Sequence, residues 1–526
     1  MRYVNVLRQR LAARQFAASI EFVTPESHEA FEAAIAPIID LASRIKLDAR
    51  IDTISLTDRV KSDDDHDPVR VAAHVAEACG KAPTVHLSGK DRDPVRLAAA
   101  LAGMHDAGLE NVLLVTGDRV RSERPGRTRY QESVAMIAEA RGAGAFHVAA
   151  AVSPFKYREE EAMSQYLKMA KKERAGADAF ITQVGWDMLK LKELTAYRRR
   201  RGLTAPVMVG VMLLTAARAR YIRSHALAGI VISDGLMAKL EEEAKQPDKG
   251  IGAAYRRLAL QIVGIKRLGF AGFQLTGLHA FDKLDALFRQ IDGLDRGLQH
   301  EGAWWDAWWH ALRGSDGRPV ALAPRPFYLF DELAEPDGCH VSVDALTPRT
   351  FDAAPAESAE TRVYERLERL HRVLFEDGSP GAAVLARLMR AVPRGSSSEQ
   401  VLHRFERFVK HAALGCETCG FCRLPYTLYV CPELCPKGLA NGPCGGTNDN
   451  TCEFGDRECA HNRRYRLAKA TGRLADLERF VIPSVPADRW GTCSWTNHFR
   501  GDDPAVLDLG IRVGVDLDRP DRKARS

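Results

Sequence analysis

Cysteine is scarce over most of this 526-residue chain: Cys79 and Cys339 stand alone before residue 416, and only Cys493 follows residue 459. Long apolar runs are missing too. None approaches the roughly 18 residues that a membrane span needs, and no apolar leader core opens the chain, so neither a membrane protein nor a secreted one is expected. Charge of one sign is also lacking. The 75 Lys and Arg are interleaved with 69 Asp and Glu, and the net +6 is too scattered for a nucleic-acid surface. There is no internal repeat and no low-complexity tract. A cytoplasmic setting follows, in which thiols stay reduced.

What is there begins with eight short apolar runs in the first 296 residues. They read "FAASIEFV" (16–23), "IDTISLT" (51–57), "APTVHLS" (82–88), "NVLLVTGD" (111–118), "FHVAAAVS" (146–153), "DAFITQ" (178–183), "PVMVGVML" (206–213) and "GFQLTGL" (272–278). A helical pattern follows each run. Near-continuous Val/Ile/Leu segments are the mark of parallel strands buried on both faces. Eight such units in this length predict a (β/α)8 TIM barrel. A doubly wound sheet would carry a Gly-rich fingerprint after its first strand, and "TPESHEAFEAA" has none. The Arg-rich, acid-free start resembles a transit peptide, but Val4, Leu7 and Leu11 form a helical stripe. A first helix closing the barrel's bottom is the expectation.

Barrel chemistry sits at the C-terminal ends of the strands. Polar residues gather there: Glu21, Thr57 with Asp58 and Arg59, His86, Ser88, Asp118, Ser153, Gln183 and Thr276. Glu21 is the sharpest, because a carboxyl flanked by apolar residues is desolvated. Desolvation raises its pKa, as a proton donor at neutral pH requires.

The eight clustered cysteines follow as C-x2-C-x2-C (Cys416, Cys419, Cys422), Cys431 and Cys435, then Cys444, Cys452 and Cys459. In a reducing compartment such spacing means metal rather than disulfides, and eight thiolates fill two four-cysteine sites. The knuckles suit tetrahedral zinc, while the run of two-residue gaps suits a 4Fe-4S cluster. His411 and His461 flank the patch and read as surface histidines. The division expected is a barrel over 1–296, a connecting region over 297–400, a metal-binding domain over 401–490 and a tail over 491–526. In the connecting region Trp304, Trp305, Trp308 and Trp309 are read as a docking face between barrel and cysteine domain.

"SIEF", "VHLS", "LLVTGD", "KKERAGADAFITQ" and "SDGL", in that order on barrel strands, resemble the methylenetetrahydrofolate reductase family. The stretch from Cys416 to Phe454 is similar to the cysteine-rich C-terminal domain of some bacterial members. The resemblance implies a flavoenzyme (FAD, or else FMN) that interconverts methylene- and methyltetrahydrofolate. It implies Glu21 as general acid and Asp118 as the carboxylate beside flavin and pterin. Gln183 and Thr276 fall on the folate side, and Thr57, His86 and Lys172 on flavin-contacting positions, Lys172 toward the phosphates. Thr116 and Ala217 stand where the family carries Arg and Phe, which weighs against direct NAD(P)H binding and toward an electron-transfer protein. The alternative reading is a folate-binding methyl carrier or transferase with a zinc docking module. A homo-oligomer is compatible with either.

Overall fold

The structure, a computed structural model, describes residues 3–60, 64–119, 130–335, 338–349 and 358–511. Eight parallel strands close a barrel in sequence order: β1 (Ala17–Phe22), β2 (Thr53–Leu56), β3 (Thr84–Ser88), β4 (Asn111–Val115), β5 (His147–Val152), β6 (Ala179–Thr182), β7 (Val207–Met212) and β8 (Gly272–Thr276). Each lies inside its apolar run. β1 pairs with β2 and with β8, which brings Ser55 and Thr276 level with Glu21. Helix starts are written locally: Asp67 and Asp93 cap helices that begin with Pro68 and Pro94.

The helix Val6–Ala12 closes the bottom. Leu7 and Leu11 are buried against Ala17, Leu113, Ala149, Ala179 and Met208 inside the barrel, whereas Val4, the third member of the stripe, is exposed. No described helix is long and apolar enough to cross a membrane.

The tryptophan face docks on the barrel itself. Trp304, Trp305 and Trp308 in the helix Glu301–Ala311 are fully buried, and Trp304 Nε1 donates to the Leu260 carbonyl at 2.7 Å. Their partner is the barrel helix Ile251–Arg267, where Gly264 leaves room that a Cβ would take from the Trp304 ring. The cysteine domain meets the barrel elsewhere. It packs on the helix Glu159–Arg174 through Ala460–Ala470 and Asp476–Arg479, and it covers the barrel mouth with the loop 441–447.

Part of the expected tail is folded. Helix Ser494–Arg500 buries Thr496 and Phe499, and Leu507 and Asp508 pair with Val481 and Phe480. The last residues of that tail, 512–526, lie outside the described residues.

Candidate active site

A cavity of about 270 Å³ opens at the C-terminal ends of the strands. That lies near the lower edge of the ~300–1,000 Å³ usual for ligand pockets. Glu21, Thr57, His86, Asp118, Lys172 and Gln183 all line it, six of the seven barrel residues to which the family resemblance gives a role, and Asp58, Arg59, Ser88 and Ser153 line it too. The seventh, Thr276, reaches the cavity through Glu21, to whose carboxyl it hydrogen-bonds.

Glu21 projects from β1 into the barrel. Burial raises its pKa, and the hydrogen bonds from Thr276 and Gln274 only partly oppose that. Gln274 Nε2 donates to Glu21 Oε2 at 2.5 Å and is itself oriented by the Ser55 hydroxyl, which donates to Gln274 Oε1 at 3.0 Å. His279 bonds the Glu21 carbonyl and stacks on Phe22, fixing the strand end. The result is a carboxyl held in place and biased toward its protonated form.

Asp118, after β4, is solvent-exposed on the same cavity. Asp58 is a structural anion: it accepts from Ser88 N at 2.6 Å and from the Arg92 guanidinium at 3.0 Å. Thr57 receives the Thr24 amide on its hydroxyl. Lys172 Nζ donates to the Ala151 carbonyl at 2.6 Å, and burial lowers its pKa. Gln183 bonds Ala228 O and Val184 N. His86 is kept neutral by burial, its pKa pushed down to about 3. His86 Nε2, Ser153 Oγ and Gln165 Nε2 are buried in this wall with no hydrogen-bond partner in the structure. Buried polar atoms without partners are rare, and a polar ligand in the cavity would satisfy them. The donor and acceptor edge of a flavin ring fits this wall.

The cavity is completed by the second domain. Lys437, Cys444 and Glu453 line it, and nothing in the local sequence pattern marks Lys437 or Glu453. Lys437 Nζ donates to the Gly117 carbonyl at 2.8 Å and to Glu453 Oε2 at 2.6 Å. Burial works against its charge, but Cys444, Glu453 and Asp118 outweigh it and raise its pKa. Barrel lysines answer in kind. Lys156 Nζ bonds the carbonyls of Gly445 and Thr447, and Lys168 Nζ those of Gly442 and Pro443. Glu132 accepts the amides of Ala440 and Asn441. Gly445 sits at φ +97°, a backbone conformation that glycine adopts freely and other residues rarely do, while a Cβ there would meet Ser153 only at ordinary contact distance.

The eight cysteines divide into two quartets, and none is disulfide-bonded. Cys416, Cys419, Cys422 and Cys431 surround one enclosed space of about 30 Å³. Burial, then the neighbouring Glu433 and Cys422, pushes Cys419 up to about 11, and burial, then Cys419 and Glu433, pushes Cys431 up to about 12. Cys435, Cys444, Cys452 and Cys459 interact with one another in the same way, Cys435 rising to about 12. Among the described residues no three such side chains stand in ready-made metal geometry. The donor set still fits a soft cation, because a bound metal reverses the pressure that keeps these thiols protonated. Amides of Thr418 and Gly446 donate to Cys416 and Cys444 sulfurs at 3.4 Å. His461, expected at the surface, is buried beneath Arg464 and the barrel lysines, which with burial lower its pKa; His411 is exposed as expected.

Residues 6–281, just over half of the chain, match the family described as methylenetetrahydrofolate reductase. The chain belongs to that family. Residues 396–486 match the domain described as methylene-tetrahydrofolate reductase C terminal, which accounts for the cysteine-rich region. Family membership makes the protein an oxidoreductase acting on folate. No curated protein matches the chain. Among solved structures, an uncharacterized protein from Clostridium thermocellum that binds two copies of 5-methyl-5,6,7,8-tetrahydrofolic acid is 12% identical, covering 55% of this chain and 99% of its own, at a TM-score of 0.42. An oxaloacetate acetylhydrolase, bound to 3,3-difluorooxalacetate, is 11% identical over 56% of this chain and 86% of its own, at a TM-score of 0.32.

Proposed function

We propose that this methylenetetrahydrofolate reductase homologue interconverts 5,10-methylenetetrahydrofolate and 5-methyltetrahydrofolate, with a flavin held in the barrel mouth. The observation that carries the reading is Glu21: a carboxyl biased toward protonation on the same cavity as the exposed carboxylate of Asp118. The methyl product stays on N5, so the bond that opens is the one to N10. Glu21 donates its proton to the departing nitrogen. Asp118 faces the cation that ring opening leaves on N5 and its one-carbon unit, and offsets its charge. A bound flavin supplies the hydride chemistry. His86, Ser153 and Gln165 hold the cofactor's polar edge, Thr57 and Lys172 line its berth, and Gln183 orients the folate.

The two quartets are metal sites, and the better reading is a pair of iron–sulfur clusters that relay electrons. Cys444 supports it, since this one residue belongs to the second quartet and also lines the reaction cavity. The first quartet then stands on the donor's side of the second.

The test is anaerobic purification followed by an absorption spectrum, metal and sulfide analysis, and folate turnover with an artificial dye. Flavin absorbance with dye-linked turnover is expected, and a colourless protein that only binds folate would overturn the reductase reading. Cys419→Ser should abolish turnover with a protein donor while dye-linked turnover persists. If both fall together with soluble yield, and zinc replaces iron, the quartets are structural.

A further inference from the structure

Each of the three helices that lead into the cysteine domain leaves apolar residues uncovered. In Ser397–Leu414, Val401, Phe405 and Phe408 are 65%, 57% and 75% exposed, at spacings of four and three. Val384 and Leu388 in Pro380–Ala391, and Leu370 in Ser358–Leu374, are more than half exposed too. Helix Ser397–Leu414 is amphipathic in the wrong sense for a free surface. On its inward side Glu406 is buried, and Lys410 Nζ donates to Glu406 at 2.6 Å and lies 3.5 Å from Cys422 Sγ, while Arg404 and Arg407 stay exposed. Glu406 and Lys410 line the space enclosed by Cys416, Cys419, Cys422 and Cys431.

The same three helices carry six exposed arginines, Arg362, Arg366, Arg372, Arg387, Arg404 and Arg407, none with an ion-pair partner among the described residues. The acids nearby are taken. Glu360 pairs with Arg463, Glu365 with Arg369, Glu368 with Arg473, Glu399 with Arg500 and Glu406 with Lys410, leaving Glu376 and Asp377 at one turn and Glu417 past the end of the last helix. Exposed Phe405 and Phe408, interleaved on one helix with the unmatched Arg404 and Arg407, call for an acidic protein surface.

We infer that this face docks a small acidic electron-transfer protein, which delivers electrons to the Cys416–Cys431 quartet. The inference rests on the relay reading given above. A carrier seated on Phe405 and Phe408 is separated from the quartet by one helix, roughly 10 Å across. Reduction of the methylene substrate takes two electrons and two protons. Two reduced carriers each give up one electron at this face, and the protons come from solvent, one of them through Glu21.

The test uses the full-length protein and two pairs of substitutions, Phe405→Asp with Phe408→Asp and Arg404→Glu with Arg407→Glu. All four positions are exposed, and unchanged flavin content and circular dichroism check the fold. The probe is a reduced acidic ferredoxin, with basic cytochrome c as the opposite-charge control. Wild type should bind ferredoxin but not cytochrome c, and salt should weaken the binding. Each pair should raise the Kd at least tenfold and slow ferredoxin-linked folate reduction, while dye-linked reduction stays within twofold. Unchanged Kd and unchanged ferredoxin-linked rate would overturn the docking face. So would a dimer that Phe405→Asp with Phe408→Asp converts to monomer, or sedimentation of wild type alone with phosphatidylglycerol vesicles. Binding that responds as expected in a protein holding only zinc upholds the face and overturns the relay.

Discussion

Replacing Glu21 with glutamine separates chemistry from architecture. The amide keeps the side chain's shape and can accept from Gln274 Nε2 through its oxygen while its own N–H2 turns toward the Thr276 hydroxyl. Stability should therefore change by less than about 1 kcal/mol near pH 6. Turnover should not survive in the same way. A general acid contributes about 10²–10⁴-fold, which is about 3–5.5 kcal/mol of barrier, and an amide has no equivalent proton to give. The assay is a single-turnover folate half-reaction with chemically reduced enzyme, alongside dye reduction without folate, which should be unaffected. pH supplies a second arm. Burial raises the carboxyl pKa above its ordinary 4.5. The wild-type folate step should thus fall as pH rises through that raised value, and the variant's residual rate should be flat. Stability follows the same sign. The protonated carboxyl favours the native state, so its contribution is complete below 4.5 and is lost as pH rises through the folded value. Each tenfold gain in the carboxylate's proton affinity on folding corresponds to about 1.4 kcal/mol. Glu21→Gln removes that slope. A folate half-reaction within tenfold of wild type, or a pH profile the variant shares, would refute the assignment.

Asp118→Asn should slow the folate half-reaction by about 10²-fold or more, with flavin content unchanged, since it removes charge stabilisation alone; unchanged single-turnover kinetics would speak against the role. Lys437→Met leaves Glu453 buried without its cation, a loss of about 3–5 kcal/mol for a broken buried pair, seen as a lower denaturation midpoint. Because Lys437 also holds the Gly117 carbonyl, its loss should raise the folate KM more than it lowers dye-linked kcat. Trp304→Ala should cost about 3–5 kcal/mol, read by chemical denaturation, because a fully buried indole and its bond to Leu260 both vanish; folate KM should hold in the protein that remains folded.

The barrel was legible because parallel strands covered by helices must be apolar on both faces, and each of the eight runs contains its strand. Glu21 and Asp118 were legible as polar residues at strand ends. Two four-cysteine sites were expected from the count of thiols, but which four belong together became visible only in the structure, where they follow chain order. Lys437 and Glu453 were not legible. They enter the cavity only because a domain more than 300 residues downstream of β4 folds back over it, and no local period records such a contact. His461 has the same history: its polar, basic neighbourhood reads as surface, yet it is buried by docking. The tryptophan face was read as lying between barrel and cysteine domain; Trp304, Trp305 and Trp308 are buried on the barrel, as expected, but the cysteine domain packs elsewhere. A helical stripe reports that it is covered, not by what.

The helix Glu159–Arg174 joins the two domains with charge as well as with apolar packing. Glu159 holds Tyr465 and Lys469 at 2.7 Å each, Glu161 the Asn450 amide, and Lys168 the Gly442 and Pro443 carbonyls. Apolar residues of the two domains also meet across the seam, Tyr130 against Leu439 among them, so separating the halves would expose both kinds of surface. The chain connecting them replaces a bimolecular search with a local concentration of order millimolar, so the two halves stay together at any expression level.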